Sequence, residues 1–362
     1  PSVTIRRPPR STLRSTRRQR QMCIRDRDNS RGIYKYELSA HGSLKKSGLV
    51  AESENPSFLA TSSDGQYLLA VNEVSNAEQM GYVSLYRIER DSLEIMDQKP
   101  SGGAHPCHLL VNREGFIVVA NYCGGNMGLL RIKDDGRLSD LLDVQQHQGE
   151  GEHPRQEGPH AHSGWFTDKG QVISVDLGTN QLWFSEIDQE GLKFVPSSPP
   201  TLDMEPGAGP RHLTFHPTEP WIYVLNELSS SVSLLIKDPE SEQYMISQNL
   251  TTLPDDFDRQ NTCADIHLSP DGKFLYASNR GHDSIAIYSI DPQTGKLTVL
   301  GHEATRGETP RNFSLSPDGN FLLVANQNTD NIVSFRRDSE AGLLTFLDEI
   351  EAPTPVCIVF VP

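Results

Sequence analysis

Residues 206–231, PGAGPRHLTFHPTEPWIYVLNELSSS, place charged side chains at both outer ends of a predicted β-hairpin. Arg211 and His212 come just before the first apolar run, and Glu227 comes just after the second. Because the outer ends of a hairpin lie side by side, we expect Arg211 and Glu227 to be neighbours. A carboxylate or an imidazole can act as a general base, and an arginine can stabilise a developing oxyanion. The hairpin is therefore a candidate site for acid–base chemistry.

The elements that must position these residues follow from an internal repeat of about fifty residues. Each unit contains a short apolar strand, a turn of the Asp-Gly type, a return strand and two further strands, and the units begin at Asn55, His105, Pro159, Pro210, Cys263 and Pro310. A last unit, PVCIVFVP from Pro355, stops after one strand. Four short strands per unit predict an all-β chain, a seven-bladed β-propeller of four-stranded antiparallel blades.

The two ends of the chain supply the seventh blade of this prediction. The segment RGIYKYELSAHGSLKKSGLVAES, from Arg31, provides outer strands without an inner strand of its own. We expect these N-terminal strands to pair with the C-terminal strand and close the propeller, which hides the sheet edges that a free blade would expose. We therefore expect deletion of PVCIVFVP to unfold the protein.

The first residue of an inner strand and the last residue of its return strand meet at the same mouth of a propeller. This geometry predicts that further candidate residues lie at the same mouth as the outer ends of the hairpin, and these are His160, His162, Asp265, His267, Arg280 and Arg311. A recurrent Asn or Asp at the return-strand ends is predicted to be architectural, since it can bond to turn backbone, and this applies to Asn72, Asn121, Asp176 and Asn326.

Charge and cysteine usage restrict the class of partner. The formal net charge is −15. Residues 1–31 hold ten arginines and two acids, so the remaining chain has 23 basic and 46 acidic residues, a net charge of −23. An acidic body argues against nucleic acid, and no apolar run reaches membrane-spanning length. Five scattered cysteines without a CxxC pair favour reduced thiols in the cytoplasm. We expect a monomer or weak homo-oligomer and no cofactor.

Residues 1–30 are rich in Arg and Ser and lack an apolar segment, so they do not form a secretory signal. An organellar transit peptide has a similar composition. The piece RQRQMCIRDR resembles translated adaptor sequence, and we therefore predict that residues 1–30 are a disordered, non-native lead-in. Residues 31–362 are predicted to form one propeller domain.

The motifs GAGPRHLTFHP…NELSSSV, ADIHLSPDGKFLYASNR and PHAHS closely resemble those of the seven-bladed propeller 6-phosphogluconolactonases, a family similar in fold to carboxy-muconate cyclases. The resemblance extends from about residue 32 to the C-terminus. It implies hydrolysis of 6-phosphoglucono-1,5-lactone to 6-phosphogluconate in the pentose phosphate pathway. It also implies catalytic roles for His162, Arg211 and Glu227. Predicted substrate-binding residues are His160, His212, Asp265, His267, Arg280 and Arg311.

Opening a lactone by water needs a base, donors for the oxyanion and an acid for the leaving alkoxide. Glu227 and His162 are both candidates for the base, and the absence of a GxSxG elbow in the sequence favours direct attack by water. Arg280, with Arg311 or His267, is predicted to bind the phosphate group.

Three other functions fit parts of the pattern. A metal-dependent lactonase would use the histidines, and the candidates are His105, His108, His153, His160 and His162, but no carboxylate ligand is evident, so we predict no metal. A lactonising isomerase of the muconate cyclase type would need the same His/Arg/Glu trio without a phosphate. A non-catalytic propeller scaffold would have no use for Arg211 with Glu227. Glu227→Gln is expected to abolish most activity with a nearly unchanged melting temperature.

Overall fold

The computed structural model describes residues 9–12, 30–241 and 243–361 of the chain. These residues contain 28 β-strands, and none of them belongs to a helix long and apolar enough to cross a bilayer. The first three strands are β1 (Pro9–Thr12), β2 (Gly32–Leu38) and β3 (Leu44–Glu52). The other strands fall in two compact units, which are described separately and are named after their longest segments, Gly48–Pro206 and Gly207–Phe360.

The unit Gly48–Pro206 contains three four-stranded antiparallel sheets, named blades 1 to 3. Blade 1 consists of β4 (Pro56–Thr61), β5 (Tyr67–Asn72), β6 (Tyr82–Ile88) and β7 (Leu93–Pro100). Blade 2 consists of β8 (Pro106–Val111), β9 (Phe116–Asn121), β10 (Asn126–Arg131) and β11 (Asp143–Gln146). Blade 3 consists of β12 (Ala161–Phe166), β13 (Val172–Asp176), β14 (Gln181–Asp188) and β15 (Lys193–Asp203).

The unit Gly207–Phe360 contains blades 4 to 6, built in the same way. Blade 4 consists of β16 (Pro210–Phe215), β17 (Ile222–Asn226), β18 (Ser231–Lys237) and β19 (Tyr244–Thr251). Blade 5 consists of β20 (Thr262–Leu268), β21 (Phe274–Arg280), β22 (Ser284–Ile290) and β23 (Leu297–Ala304). Blade 6 consists of β24 (Pro310–Leu315), β25 (Phe321–Asn326), β26 (Asn331–Arg337) and β27 (Leu344–Glu351). The predicted all-β architecture of four-stranded antiparallel blades is confirmed.

A further sheet, the terminal sheet, combines both ends of the chain in the order β28 (Ile358–Phe360), β1, β2, β3. Residues 9–12 were predicted to belong to a disordered lead-in, but they form β1 and pair antiparallel with β28. Backbone groups at the edge of β28 are thereby paired. The remaining residues of the predicted lead-in, 1–8 and 13–29, lie outside the described part. The closed seven-bladed ring stays a prediction.

Apolar cores lie between neighbouring blades of one unit. The return strands β17 and β25 are buried along their whole length. Tyr223 and Leu225 of blade 4 pack with Leu275 and Tyr288 of blade 5, and all four side chains are fully buried. Each fully buried side chain of this kind stabilises the fold by about 1.5–3 kcal/mol. The rigid cores hold the strand ends, where the charged residues lie.

The Asp-Gly turns form at the ends of the hairpins opposite these charged residues. In blade 5, Asp271 accepts hydrogen bonds from the Ser269 hydroxyl at 2.5 Å and the Lys273 backbone N–H at 3.2 Å. Gly272 has φ of 69°, a left-handed conformation that favours glycine. These turns fix the pairing of inner and return strands, and so the relative height of their far ends.

Candidate active site

One buried carboxylate binds two arginines in the unit Gly207–Phe360. Arg211 is the second residue of β16, Glu227 directly follows β17, and Arg280 ends β21. Arg211 Nε lies 3.0 Å from Glu227 Oε2, and Arg280 Nη2 lies 2.9 Å from the same oxygen. The Glu227 side chain is 2% exposed and that of Arg211 4%. The predicted contact between Arg211 and Glu227 is present, and an arginine from the next blade joins it.

Backbone bonds hold the carboxylate at the start of the next blade. The Glu227 N–H donates to Gly209 O at 2.7 Å, and the Cys263 N–H donates to Glu227 O at 3.1 Å. Arg280 Nη2 also donates to Cys263 O at 2.8 Å. The end of blade 4 is thereby tied to the end of blade 5, so Arg211, Glu227 and Arg280 form one rigid cluster.

A β-bulge at the start of the inner strands places the candidate residues. In blade 4 the register shifts between Pro210 and His212, so Arg211 lies at the bulge. The register shifts in the same way past Arg311 in blade 6 and past His162 in blade 3. Bulges of this kind turn a side chain away from the regular pleat and are frequent near active sites. Three of the predicted site residues therefore occupy one equivalent position.

Asp265 of β20 is the centre of a second buried group in the same unit. Its Oδ1 lies 2.9 Å from His212 Nδ1, and its Oδ2 lies 3.1 Å from His267 Nε2. The Asn312 amide donates to Oδ2 at 2.5 Å, and two backbone N–H groups, of Ile266 and Phe313, complete the set. The Asp265 side chain is 4% exposed. It therefore joins blades 4, 5 and 6 through charge-assisted hydrogen bonds.

The two groups are connected through His212. Arg211 Nη1 lies 3.3 Å from His212 Nε2 and also donates to Ala264 O. Burial and the neighbouring Arg211 charge lower the pKa of His212 to about 4, so its imidazole is neutral at pH 7. Burial, followed by the charge of Arg280, lowers the pKa of Arg211 to about 10, which leaves the guanidinium protonated. The charge of Arg311 acts on Arg211 in the same direction.

Asp265 and His267 shift each other in opposite directions. Burial alone would raise the pKa of the Asp265 carboxyl, but the charge of His267 and the His212 and His267 hydrogen bonds hold it well below its ordinary value. Burial alone would lower the pKa of His267, but the Asp265 charge and hydrogen bond raise it. Asp265 is thus ionised throughout the neutral range.

The histidines of PHAHS lie at the start of blade 3, in the unit Gly48–Pro206. His160 stacks on Tyr122 with ring centroids 4.6 Å apart, and its Nε2 lies 3.6 Å from Glu157 Oε1. His162 packs edge-on against the same tyrosine, and its Nδ1 lies 3.7 Å from Cys107 Sγ. His162 is 6% exposed. These contacts orient two imidazoles on one aromatic ring.

Comparison with known proteins identifies the family. Residues 21–360 match the model of the family described as "Lactonase, 7-bladed beta-propeller". The chain belongs to this lactonase family.

Two relatives and one solved structure show how close this lactonase-family chain is to named enzymes. The 6-phosphogluconolactonase of Bacillus subtilis is 35% identical, over 74% of this chain and 76% of that protein. The 6-phosphogluconolactonase of Formosa agariphila is 33% identical, over 76% and 80%. The structure of a periplasmic gluconolactonase from Pseudomonas aeruginosa has a TM-score of 0.90 and 28% identity, with 98% of this chain and 99% of that one covered.

The return-strand asparagines of this lactonase-family chain make architectural bonds, but the bonds of Asn72, Asn121 and Asn326 go to the segment that precedes the blade rather than to the turn backbone that we expected from sequence. Asn326 donates to Thr305 O at 2.9 Å, Asn121 donates to Ser101 O at 3.1 Å, and Asn72 donates to the Ser53 hydroxyl at 3.1 Å. Each amide therefore holds the segment that leads into its blade. Glu227 lies one position beyond the corresponding Asn226, which explains why only the glutamate reaches the arginines.

Sequence reasoning missed one buried pair, between the residue that follows β11 of blade 2 and the end of β13 in blade 3. His147 Nδ1 lies 2.7 Å from Asp176 Oδ2, both side chains are fully buried, and the imidazole stacks on Trp183 at 4.4 Å. Asp176 Oδ1 accepts from the backbone N–H groups of His160 and Thr179. The signal was an aspartate where other blades have asparagine, because an acid at this place implies a cationic or N–H donor partner. The pair of His147 and Asp176 thereby orders the backbone that leads into PHAHS in this lactonase-family chain.

No group of three or more His, Cys, Asp or Glu side chains with metal-binding geometry occurs among residues 9–12, 30–241 and 243–361. His108 instead packs between Phe58 and Trp165, with centroid distances of 4.2 and 5.0 Å.

Proposed function

We propose that the protein hydrolyses 6-phosphoglucono-1,5-lactone to 6-phosphogluconate, the lactone-opening step of the pentose phosphate pathway. The observation that carries the proposal is the buried pairing of two guanidinium groups with one Glu227 carboxylate oxygen. Arg211, Arg280 and Glu227 together carry one net positive charge in a body whose net charge is strongly negative. Such a cluster attracts an anionic substrate that the rest of the molecule repels.

Arginine chemistry suits two steps of lactone opening. As water attacks the carbonyl carbon, the carbonyl oxygen becomes an oxyanion, which a fixed guanidinium stabilises without reorganisation. A phosphate accepts the planar N–H fork of another arginine. We assign the oxyanion to Arg211, whose guanidinium is held by Glu227, Ala264 and His212, and the phosphate to Arg280 with Arg311.

We propose His162 as the general base. Glu227 Oε2 already forms ion pairs with two arginines. This favours a role for Glu227 in holding the arginines rather than in taking a proton from water. An imidazole has an unperturbed pKa near neutrality and can take a proton from water and return it to the leaving alkoxide. Water attacks directly, and no covalent intermediate forms. No cofactor takes part in this scheme.

A second candidate substrate is an unphosphorylated sugar lactone. It is favoured by the similarity to the Pseudomonas aeruginosa structure, which is named as a gluconolactonase. The deciding experiment compares initial hydrolysis rates of fresh 6-phosphogluconolactone and gluconolactone, each corrected for spontaneous opening. Catalysed turnover of the phosphorylated lactone with the higher kcat/KM supports the proposal. A rate equal to the spontaneous one contradicts it, and preference for gluconolactone selects the second candidate.

We also propose that the protein is cytoplasmic, because the scattered cysteines are typical of a reducing compartment. We further propose that it is a monomer or weak homo-oligomer. Fractionation of source cells against a periplasmic marker enzyme tests the location. Light scattering tests the assembly. Recovery with the periplasmic marker would contradict the first, and a stable oligomer that persists at nanomolar concentration would contradict the second.

Arg280→Gln is expected to raise KM for the phosphorylated lactone about 10- to 100-fold, because one charge-assisted bond contributes about 1.5–3 kcal/mol. The Arg280 side chain is 15% exposed, more than that of Arg211, and so is better placed to meet a substrate. Steady-state kinetics on both lactones measure the effect. Arg336→Gln, at an exposed site in blade 6, is the matched control. An equal rise in KM for gluconolactone would contradict the phosphate assignment.

His162→Gln is expected to lower kcat about 100- to 10,000-fold, the usual contribution of general acid–base catalysis. Glutamine keeps the size and polarity of the side chain but cannot take a proton near neutral pH. The acidic limb of the kcat profile against pH should disappear with the activity. His216→Gln in blade 4 is the control. An unchanged acidic limb would move the base away from His162.

A further inference from the structure

The chain Asp265–His212–Arg211 has a donor and acceptor order that only one tautomer of His212 satisfies. A guanidinium contains donors only, so at 3.3 Å from Arg211 Nη1 the His212 Nε2 atom must accept. The proton of the neutral imidazole is then on Nδ1, which donates to Asp265 Oδ1 at 2.9 Å. Asp265 as a carboxylate contains acceptors only, so each contact in the chain has one donor and one acceptor.

Burial makes this order obligatory. His212 and Asp265 each have side chains only 4% exposed, so water cannot supply a missing partner. Asp265 is itself fixed by Asn312, His267 and two backbone N–H groups. The orientation of the His212 ring is therefore set by a rigid anchor, and the ring presents one lone pair to Arg211.

Arg211 needs such a partner because it occupies the bulge of β16. The register shift at this position interrupts the regular pleat, so contacts of the side chain itself must orient it. Glu227 binds Nε, while Ala264 O and His212 Nε2 both contact Nη1. The carboxylate alone would let the guanidinium plane tilt about the Nε contact, and the contacts at Nη1 prevent this.

We propose that His212 and Asp265 are positioning residues that fix the guanidinium plane of Arg211, rather than residues that contact the substrate. This role replaces the substrate-binding role predicted from sequence for both. The inference rests on the proposed lactone hydrolysis for its kinetic consequence, but the tautomer that it requires is independent of activity.

Two isosteric substitutions separate the two contacts of the ring. The amide nitrogen of asparagine occupies about the place of Nδ1, so His212→Asn keeps the bond to Asp265 and loses the acceptor for Arg211. Glutamine reaches about as far as Nε2, so His212→Gln keeps an acceptor for Arg211. We expect His212→Asn to lower kcat about 10- to 100-fold with KM nearly unchanged, since displacement of a catalytic group by about 1 Å can cost that much. His212→Gln should recover most of the rate.

His216→Asn, outside this network in the same blade, is the control and should keep wild-type kcat. Equal losses in His212→Asn and His212→Gln, or a lowered melting temperature of His212→Asn with wild-type kcat, would overturn the positioning role.

Long-range ¹H–¹⁵N NMR of histidine-labelled protein reads the tautomer directly, with the His212 signals identified by their absence in His212→Gln. We expect a protonated Nδ1 and an unprotonated Nε2 at pH 7. A protonated Nε2 would place two donors against each other and would refute the inference. If the wild type hydrolyses neither lactone, the proposed function fails. The observed tautomer of His212 still decides whether His212 accepts from Arg211 and donates to Asp265.

Discussion

Glu227→Gln is expected to lower kcat for lactone hydrolysis about 100- to 1,000-fold, the usual effect of disturbing the donors that stabilise an oxyanion. The carboxylate offsets two guanidinium charges that meet at one oxygen. A neutral amide leaves Arg211 and Arg280 to repel each other, so the guanidinium assigned to the oxyanion moves. Stopped-flow or pH-stat kinetics on fresh lactone measure the loss.

The same variant should also be less stable, by about 3–5 kcal/mol, because it removes one partner from a buried ion pair. The sequence led us to expect a nearly unchanged melting temperature. The structure changes that expectation, because the Glu227 side chain is only 2% exposed and water cannot solvate the two arginines once the carboxylate is lost. Rates must therefore be measured well below the melting temperature of the variant, with near-UV circular dichroism to confirm folding. Glu219→Gln, at an exposed site in the same blade, is the control. Retention of more than half of wild-type kcat would contradict the catalytic role of the cluster.

The hairpin of blade 4 shows how much of the site could be predicted from sequence. Two apolar runs joined by a turn define the strands, and antiparallel pairing brings their outer ends together whatever the rest of the fold does. The pairing of Pro210 with Asn226 follows this rule, and Arg211 meets Glu227. The position of Arg280 at the end of the next return strand was predicted by the same repeat.

The role of His212 was beyond the same reasoning. Arg211 and His212 both lie at the start of an inner strand, so both were placed among the substrate-binding or catalytic candidates. In a regular strand their side chains would point to opposite faces. The bulge at Arg211 breaks that alternation and leaves His212 paired with Leu225 in the interior. Bulges depend on contacts between strands and have no clear sequence signal here. The pairing of β1 with β28 was missed for a similar reason, because residues 9–12 lack the apolar alternation of a strand.

Asp265→Asn is expected to destabilise the protein by about 3–5 kcal/mol and to lower its melting temperature by roughly 5–10 °C. Five donors converge on the two carboxylate oxygens. An asparagine turns one oxygen into an N–H₂ group, which then faces donors in a buried site. Asn312 extends the effect to the C-terminal strand, because its own oxygen accepts from the Ile358 N–H at 2.7 Å. Thermal and urea unfolding measure the loss.

The exposed Asp256→Asn is the control for this substitution and should unfold as the wild type does. An unchanged melting temperature of Asp265→Asn would mean that the donors find other partners. That result would also weaken the positioning of Arg211, because it would show that the anchor of His212 is not rigid.

The acid sensitivity of the wild type follows from the same group of residues. Burial and the Arg211 charge lower the pKa of His212 from 6.5 to about 4, so between these values the unfolded chain binds the extra proton. The stability is therefore complete above pH 6.5 and falls by about 3 kcal/mol as the pH approaches 4. Asp265, whose pKa is held low, adds a further loss below about pH 4. The raised pKa of His267 acts in the opposite sense, since its contribution to stability is complete below pH 6.5 and is lost as the pH rises.

Urea unfolding of His212→Gln between pH 7 and pH 4 should show a flatter profile of stability against pH than the wild type, because the variant lacks the proton-binding group. Parallel profiles would assign the acid loss to other residues and would show that burial and the Arg211 charge do not keep His212 neutral.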